Sequence, residues 1–488
     1  MHAYASVAST HPRTETLWTA CLCFFLTAAA LIWLVFSYGY IEDDAFIHLE
    51  FARSIAQGHG FSFNGQQVNG DTAPLWVVLL VAIQSMGFTW MAAAKFLGGV
   101  GVLVALSGVW RIASDIAGAA PQQRYLPIAA LVLTAVNPYF VHWSFSGMES
   151  VTALGVSLWA IWAVFSSRPP TWNRLATGAG LLAVAPLLRP ELLLLSAVAG
   201  TVLLYRAWHM PAVSGRRVLA VAALAMVMAL PTVLWSAYAL KTFGSIIPNT
   251  NAAKRGGDLL TVAAKLASVY LLGFGGTIAV LPFVAKRLFK SVVPPAVWAL
   301  LLWPIACAAF YIADHTAVQT RYCLLSMPSL TIATLWLLGQ SARRDWTVSI
   351  VAGMTVLELA LFVMMVYPHV SNKVKLVKTI AITAAYIRDH VPPGAPVAVY
   401  AIGQLAFESR HPLIDVGGIT RPDVLRYTGD LPATIRWAKD QGAQFFISGD
   451  PPQSAAVPVF SYSIPFLGWT FDHSNYSKSI QTGIYRLP

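Results

Sequence analysis

Residues 17–60 read LWTACLCFFLTAAALIWLVFSYGYIEDDAFIHLEFARSIAQGHG. The run Leu17–Phe36 carries no charge and is long enough to cross a hydrocarbon core of about 30 Å. No small-residue cleavage site follows this run, so we expect a retained membrane span rather than a signal peptide. Three consecutive acids, Glu42, Asp43 and Asp44, come directly after the span. The sequence therefore predicts a concentrated negative charge beside a membrane surface.

The composition of the whole chain agrees with a membrane protein. Of 488 residues, 57% are hydrophobic and 11% are charged, against about 25% charged in a typical soluble domain. The 32 basic residues outnumber the 21 acidic ones, but they sit in short clusters between apolar runs, as the positive-inside rule expects. This pattern excludes nucleic-acid binding. The four cysteines form no C-x-x-C pair and indicate no disulfide framework or zinc site.

The basic clusters also predict the topology, because short loops rich in Lys and Arg stay on the cytoplasmic side. We expect the N-terminus to be cytoplasmic and the C-terminus to lie outside. About eleven transmembrane helices follow, at residues 17–37, 89–110, 125–141, 148–166, 174–188, 190–206, 217–240, 268–285, 294–312, 322–339 and 346–367.

Two assignments rest only on the number of crossings, which must be even between loops on the same side of the membrane and odd between loops on opposite sides. Residues 175–205 have basic flanks on both sides, so they must cross twice, with Arg189-Pro190-Glu191 as an outer hairpin tip. Pro74–Met86 lies between an outer and a cytoplasmic loop that one span already connects, so it is expected to be an interfacial or re-entrant helix. If Pro74–Met86 were a span instead, every later segment would be inverted.

The chain is predicted to have two domains. Residues 1–367 form the transmembrane domain, whose first outer loop, 38–88, contains juxtamembrane helices. Residues 368–488 form a small outer α/β domain, because their composition is less apolar and alternates between helix and strand patterns. The predicted elements of this domain are a helix at Lys373–His390, a strand at Ala395–Ile402, a helix at Pro432–Gln441 and strands at Ala443–Ser448 and Ser479–Leu487.

The outer loops bring charged residues of both signs to one face of the membrane. Asp44 and His48 are four residues apart and share a helix face. Each charge also has a structural interpretation, as a helix cap, a solvated side chain or a membrane anchor. These interpretations do not predict that acids and bases converge on one side. The other outer charges and polar groups are Glu42, Asp43, Arg53, Lys95, Glu149, Arg189, Glu191, Asn249, Lys254, Arg255, Arg321 and Tyr322.

Such a constellation suits sugar transfer from a polyprenyl phosphate. The leaving phosphate needs no general acid, whereas the acceptor hydroxyl needs a carboxylate base, for which Asp43 and Asp44 are the candidates. Cations must hold the phosphate as its charge develops. If a divalent ion takes part, Asp43, Asp44 and Glu149 supply oxygen ligands suited to Mg²⁺ or Mn²⁺. The clamp candidates are Lys95, Arg189, Lys254, Arg255 and Arg321.

Short motifs follow one another along the chain in this order: Glu42-Asp-Asp-Ala-Phe-Ile47, Arg53, Gly58-His-Gly60, Phe63-Asn64, Gly70-Asp-Thr72, Pro74-Leu-Trp76, Ser146-Gly-Met-Glu149, Leu188-Arg-Pro-Glu191, Pro248-Asn-Thr250 with Ala253-Lys254, Arg321-Tyr322 and Ile414-Asp-Val-Gly-Gly418. These motifs resemble those of the GT-C glycosyltransferases, and most closely those of the arabinofuranosyltransferases of actinobacterial cell-wall synthesis. One departure is Gly70-Asp-Thr-Ala-Pro74, where that family usually carries Tyr-Thr-Asn-Pro; the segment after Asn64 is also shorter.

The resemblance implies a multi-pass enzyme of the bacterial inner membrane, with its active site and C-terminal domain in the periplasm. It implies an inverting transfer of a sugar, with arabinofuranose as one candidate, from a polyprenyl-phosphate donor to a glycan, lipid or protein acceptor. An acid of the first loop, here Asp43 or Asp44, would be the base. The substrate would be bound by Glu42, His48, Arg53, Lys95, Glu149, Arg189, Glu191, Asn249, Lys254, Arg255, Arg321 and Tyr322.

Two other functions remain open at this point. A transporter or flippase of a lipid-linked glycan would need charges near the midplane of several spans, whereas most charges here lie at span ends. A non-enzymatic envelope assembly protein would use its outer domain to bind a partner. Deleting that domain would then abolish function, and replacing Asp43 would have no effect.

Overall fold

The computed structural model describes residues 29–118, 120–211, 214–340, 344–448, 457–465 and 479–487. The chain divides into two compact units, Met1–Gly39 and Tyr40–Pro488. Residues 29–36 of the first unit are helical. The rest of the predicted first span, 17–37, and the cytoplasmic N-terminus lie outside the described residues.

The second unit is mostly helical. Three short 3₁₀ segments, Pro121–Gln123, Lys286–Phe289 and Pro422–Tyr427, and a π-helical turn, Phe362–Val366, join some of its helices. Its α-helices are α1 (Asp43–Ala56), α2 (Pro74–Ser85), α3 (Trp90–Ala117), α4 (Leu126–Val136), α5 (Pro138–Ser144), α6 (Ser150–Phe165), α7 (Trp172–Leu188), α8 (Leu192–Trp208), α9 (Ser214–Phe243), α10 (Asn249–Ala253), α11 (Leu259–Ala285), α12 (Pro295–Ala313), α13 (Thr320–Leu324), α14 (Met327–Gly339), α15 (Arg344–Leu361), α16 (Tyr367–His390), α17 (Gly403–Ser409) and α18 (Leu431–Asp440).

Every predicted span from 89–110 onward overlaps helical structure, but 125–141 is divided between α4 and α5, and 322–339 is divided between α13 and α14. Within the described ranges, five helices are long and apolar enough to cross a membrane, or six if α4 and α5, bent by 62°, form one span. Several others, such as α6 and α8, are shorter apolar helices. The count of eleven crossings therefore stays a prediction. Helix α2 has 12 residues, too short to cross a core of about 30 Å, which agrees with an interfacial position.

Small residues let α3 and α6 cross closely. A Cβ atom added to Gly101 would lie 2.3 Å from the hydroxyl oxygen of Thr152, and one added to Gly155 would lie 2.7 Å from the backbone nitrogen of Ala105. Such close backbone approach stabilises helix pairs in membranes, where the lipid supplies little hydrophobic driving force between helices. The pair α3 and α6 therefore forms a tightly packed base beneath the outer loops.

The first outer loop packs on the turn before α6. The backbone N–H of Glu42 donates to the Ser146 carbonyl at 3.0 Å, and the Trp76 indole donates to the Gly147 carbonyl at 3.1 Å. Gly147 has φ +87°, and a Cβ there would lie 2.9 Å from that of Ala45. Only glycine combines this backbone conformation with such close contact. The turn thereby places the N-terminus of α1 directly beside α6.

The C-terminal α/β domain, which is predicted to lie outside and is named the outer domain for that reason, contains a five-stranded sheet in the order β2-β1-β3-β5-β4. Strand β1 pairs in parallel with β2 and β3, while β5 pairs antiparallel with β3 and β4. Trp437, Phe446 and Ile414 lie in its hydrophobic core. The strands are β1 (Val397–Val399), β2 (Leu413–Asp415), β3 (Phe445–Ser448), β4 (Phe460–Pro465) and β5 (Ser479–Arg486).

The predicted elements of this domain are present, but the sequence pattern missed α17, β2 and β4. Strand β2 has only three residues, too few to show an alternating pattern. The helical backbone also continues across residue 367, from α15 through the π-helical turn into α16. The predicted domain boundary at residues 367 and 368 thus falls inside a continuous helical segment.

The outer domain is hydrogen-bonded to the first outer loop through backbone carbonyl groups. Arg53 donates to the Phe407 carbonyl at 2.6 Å and lies over the ring of the same residue. Asn64 donates to the His411 carbonyl at 3.0 Å. These charged and amide donors satisfy carbonyl groups that burial would otherwise leave unpaired.

The α3–α6 crossing yields a stability prediction. Replacing Gly155 with Ala should destabilise the protein by about 1–3 kcal/mol, because the new methyl group meets backbone rather than a flexible side chain. Gly99→Ala is the matched control, since its Cβ meets only the Phe145 ring at 3.7 Å. Thermal unfolding of both variants in detergent is the measurement. Equal midpoints for the two variants would contradict the close crossing.

Candidate active site

A cavity of about 370 Å³ lies where the outer loops of the second unit meet. Helix α1, the Gly70–Pro74 segment, the α7–α8 hairpin tip and α13 all contribute, and Ile419 of the outer domain completes the lining. Its charged and polar lining residues are Asp44, His48, Asp71, Thr72, Glu149, Arg189, Glu191, Thr232, Ser236, Thr250, Asn251, Lys254, Tyr311, Asp314, Thr316, Arg321 and Tyr322.

Of the three consecutive acids at 42–44, Asp44 is the one that lines this cavity. Its Oδ2 atom lies 3.0 Å from the Lys254 ammonium and 2.6 Å from the Arg321 guanidinium. Burial raises the pKa of Asp44, but the two cations lower it by more than burial raises it. The pKa of Asp44 is therefore well below its ordinary range. The Asp44 side chain is 27% exposed, against 3% for Arg321. The carboxylate is therefore ionised and accessible from the cavity.

Asp43 lies outside the cavity lining and binds the outer domain instead. Its carboxylate accepts hydrogen bonds from the backbone N–H groups of Gly403 at 3.1 Å and Gln404 at 2.9 Å. Burial raises the pKa of Asp43 to about 6, aided by the neighbouring Asp44 and opposed by the two N–H donors. A Cβ at Gly403 would lie 2.0 Å from the Asp43 carbonyl oxygen. The two adjacent acids thus serve different parts of the protein.

The inner wall of the cavity is a connected row of buried ionisable groups. His48 contacts Asp71 through Nδ1 at 2.6 Å and Glu149 through Nε2 at 3.3 Å. Arg189 contacts Glu149 at 2.8 Å and Glu191 at 2.6 Å. Alternating charges of this kind offset the cost of burying each one alone. Burial lowers the pKa of His48, but the opposing effect of Asp71 and Glu149 is larger and raises the pKa to about 10. The imidazole is therefore protonated at neutral pH.

Two tyrosines border the same row. The Tyr311 hydroxyl donates to Glu191 at 3.2 Å, and the Arg189 guanidinium lies 4.8 Å from the centre of the Tyr322 ring. Arg321 approaches the same ring at 5.5 Å. Two guanidinium groups therefore lie near the aromatic ring of Tyr322, an arrangement that cation–π attraction favours.

Five residues predicted to bind substrate lie outside the lining. Arg53 binds the outer domain, as described above, and Lys95 is buried and donates to the carbonyl groups of Tyr40 and Phe145. Glu42 contacts Lys373 at 3.0 Å. The remaining two are Asn249, whose backbone N–H donates to the Asn69 carbonyl at 2.7 Å, and Arg255, which is largely exposed and lies 3.6 Å from Asp314.

Two acids of the cavity were missed as site residues. Asp71 pairs with His48, and Asp314 accepts hydrogen bonds from Asn251 at 3.1 Å and Thr316 at 2.9 Å. Asp71 stood within the Gly70-Asp-Thr72 motif, so its position in the first loop was the available signal. Asp314 lies just after a predicted span, where a solvated loop residue is as common an interpretation of an acid as a site residue.

The three acids predicted as metal ligands have other partners in this structure. Asp43 binds backbone N–H groups, Asp44 binds two cations, and Glu149 binds His48 and Arg189. A role for Mg²⁺ or Mn²⁺ at these acids stays a prediction. Among the residues that the structure describes, the group with metal-ligand spacing is a different one: Glu42, His142 and His369.

The fold is similar to that of solved structures. The chain is similar to ArnT from Cupriavidus metallidurans, a GT-C glycosyltransferase, in its structure bound to undecaprenyl phosphate. That match covers 94% of this chain and 97% of ArnT, with a TM-score of 0.59 at 14% identity. The match to ArnT in the apo state covers 96% of this chain and 98% of ArnT, with a TM-score of 0.58 at 14% identity. The chain has the GT-C fold. The predicted fold class, a polytopic helical membrane protein with a small C-terminal α/β domain, is confirmed.

Further comparisons concern parts of the chain or of the relative. The arabinofuranosyltransferase AftD from Mycobacteria matches 94% of this chain but 41% of its own, at 15% identity and a TM-score of 0.49. A family model described as a domain of unknown function (DUF8728) matches residues 371–480, within the outer domain. None of the curated protein sequences matches the chain.

The buried His48 yields a pH prediction. Its pKa of about 10 in the folded protein exceeds the unfolded value of about 6.5. Its contribution to stability is therefore complete below about pH 6.5 and is lost as the pH rises toward about 10. We expect the thermal midpoint of the wild type to fall more steeply over this interval than that of His48→Gln. Exposed His209 is the control, and His209→Gln should keep the wild-type slope. Equal slopes for wild type and His48→Gln would contradict a protonated His48.

Proposed function

We propose that this protein transfers a sugar from a polyprenyl-phosphate donor to a hydroxyl group of a glycan, lipid or protein acceptor. The observation that carries this proposal is the position of Asp44, which faces a cavity at the outer end of the membrane helices beside Lys254 and Arg321. A carboxylate can act as the base for the acceptor hydroxyl, and the two cations can hold the phosphate as its charge develops. The GT-C fold and the motifs of the first loop support the same reaction.

The proposed reaction is a single displacement. The acceptor oxygen attacks the anomeric carbon of the sugar, and its proton passes to the carboxylate of Asp44. The bond between the anomeric carbon and the phosphate oxygen breaks, and the electron pair leaves with the polyprenyl phosphate. Attack opposite to the leaving group inverts the anomeric configuration. Asp43, which we predicted as the other candidate base, is assigned to binding the outer domain.

Because of the two cations, the basicity of Asp44 would depend on whether the donor is bound. In the structure Lys254 and Arg321 are shared by one carboxylate oxygen, which suppresses the basicity of Asp44. A donor phosphate in the cavity would compete for the same cations, because Arg and Lys bind phosphate strongly. As they turn toward the phosphate, Asp44 becomes a better base. The active base would therefore form only when the donor is bound.

A second cavity supports a lipid-linked donor. It measures about 380 Å³ and is lined by apolar side chains of α6, α8 and α12. The first cavity includes Leu193 of α8 and Phe310 of α12, so the two cavities share these helices. A polyprenyl chain could lie along them while its phosphate reaches Arg321. ArnT was determined with undecaprenyl phosphate bound, and a donor of this class is proposed here.

The sugar and the location complete the proposal. The motifs shared with actinobacterial arabinofuranosyltransferases make polyprenyl-phosphate arabinofuranose the first donor to test. The acidic first loop and the cytoplasmic basic clusters favour the periplasmic side of the bacterial inner membrane for the cavity. The outer domain would then lie in the periplasm, on the side where lipid-linked sugars are used.

Substituting each acid separately tests the assignment of the base. Asp44→Asn should lower kcat/KM for transfer from synthetic polyprenyl-phosphate sugars by about 10²–10⁴-fold, the usual contribution of a general base. Asp43→Asn keeps an oxygen acceptor for one N–H group and should retain activity within a few fold. Gel filtration and thermal unfolding in detergent would establish that both variants are folded.

The same pair distinguishes the other functions. Wild-type transfer by Asp44→Asn would overturn the assignment of the base. If wild type transfers no sugar from any donor but moves a lipid-linked glycan between leaflets, the protein is a flippase. If neither activity depends on Asp44 while the outer domain captures an envelope partner, the protein is an assembly factor.

Two neighbouring basic residues test the phosphate clamp. Lys254→Met should lower kcat by about 10²–10³-fold, comparable to the loss of one preorganised donor to a developing charge. Arg255→Met is the matched control, because Arg255 is largely exposed and lies outside the cavity lining. It should remain near wild type. Equal losses in the two variants would show that local charge, rather than contact with the donor phosphate, determines the effect.

A further inference from the structure

A second cluster of ligand-type side chains lies outside the cavity lining. It consists of Glu42, His142 and His369, all buried, with one potential ligand atom of each within 4.8 Å of the others. The Nε2 atom of His142 lies 3.9 Å from Oε1 of Glu42. The rings of His142 and His369 are 4.9 Å apart and inclined by 65°. Three side chains distant in sequence thus converge on one point.

The donor set has the chemistry of a transition-metal site. Two imidazoles and one carboxylate are a ligand set found for Zn²⁺ with an open fourth position. A tetrahedral ion with bonds of about 2.1 Å holds its ligand atoms about 3.4 Å apart. The distance of 3.9 Å between His142 and Glu42 is slightly longer, so small side-chain rotations would bring these ligands to bonding distance. Mg²⁺ prefers oxygen ligands and does not match a pair of imidazoles.

The surrounding residues orient the carboxylate for such an ion. Lys373 contacts Oε2 of Glu42 at 3.0 Å, while Oε1 faces His142. The Tyr40 hydroxyl donates to Oε1 at 2.7 Å and lies 3.2 Å from Nε2 of His142. Hydrogen bonds that hold a ligating carboxylate in one orientation are typical of metal sites. The two carboxylate oxygens therefore have separate functions, one toward Lys373 and one toward the imidazoles.

We propose that Glu42, His142 and His369 form a Zn²⁺ site that joins the first outer loop to α5 and α16. Glu42 directly precedes α1, His142 lies in α5, and His369 lies in the first turn of α16. An ion bound to all three would hold the start of α1, which carries Asp44, against the helix that enters the outer domain. The site lies apart from the cavity lining and is independent of the proposed sugar transfer.

Metal content of the purified full-length protein tests the site without any assay of transfer. The wild type is stripped with a chelator, exposed to Zn²⁺, freed of excess metal and analysed by elemental mass spectrometry. We expect about one tightly held Zn²⁺ per chain, and a higher thermal midpoint for the loaded protein than for the stripped protein. His142→Ala and His369→Ala should each lose the bound metal and this difference in midpoint.

His390→Ala is the control, because His390 is exposed on the same helix α16. It should retain metal as the wild type does. If His369→Ala holds as much Zn²⁺ as the wild type, or the wild type holds none, the site is overturned.

A cobalt spectrum keeps the test valid if the variants do not fold. Co²⁺ bound to the stripped wild type by two imidazoles and a carboxylate in a four-coordinate site gives intense visible absorption, unlike the pale aqueous ion. The absence of these bands at saturating Co²⁺ would also overturn the proposal.

Discussion

The shared contact of Lys254 and Arg321 with Asp44 is the interaction on which the outer half of the molecule depends. It joins three segments that lie far apart in the sequence, at the start of α1, after α10 and in α13. Charged groups removed from water are stable only when they are paired. Separating the three segments would leave each of these charges without its partner, which is unfavourable. The ion pairs therefore hold the segments together. These three groups therefore stay close together in the cavity lining.

The neighbouring acids Asp43 and Asp44 have different partners because their side chains point in different directions. Successive side chains at the start of a helix point about 100° apart, so Asp43 reaches the outer domain while Asp44 reaches the cavity. The backbone N–H groups of Gly403 and Gln404 bind the first acid, and two cations bind the second. Two residues of the same type thereby differ in their surroundings: one carboxylate binds the outer domain, and the other faces the cavity.

The sequence predicted the helices well because their signals are local. Apolar runs and Lys/Arg clusters mark spans without reference to distant residues, and the Arg189-Pro190-Glu191 hairpin tip follows from parity alone. The site was predicted less completely. Lys95, near the start of α3, and Arg53, in the first loop, are basic residues like Lys254, but they bind backbone carbonyl groups. A residue's type does not indicate which carbonyl group it will contact. Whether a charge faces a cavity or a carbonyl depends on contacts between segments up to 354 residues apart.

The presence of Ile419 in the cavity lining changes how truncations of this protein should be interpreted. Removing the outer domain would take away part of the cavity wall and admit bulk water to Asp44 and its cations. The higher dielectric would weaken every charge interaction there. A shortened chain would therefore lose the proposed activity for electrostatic reasons even if the domain binds no substrate or partner. The outer domain therefore shields the cavity from bulk water as well as forming part of its wall.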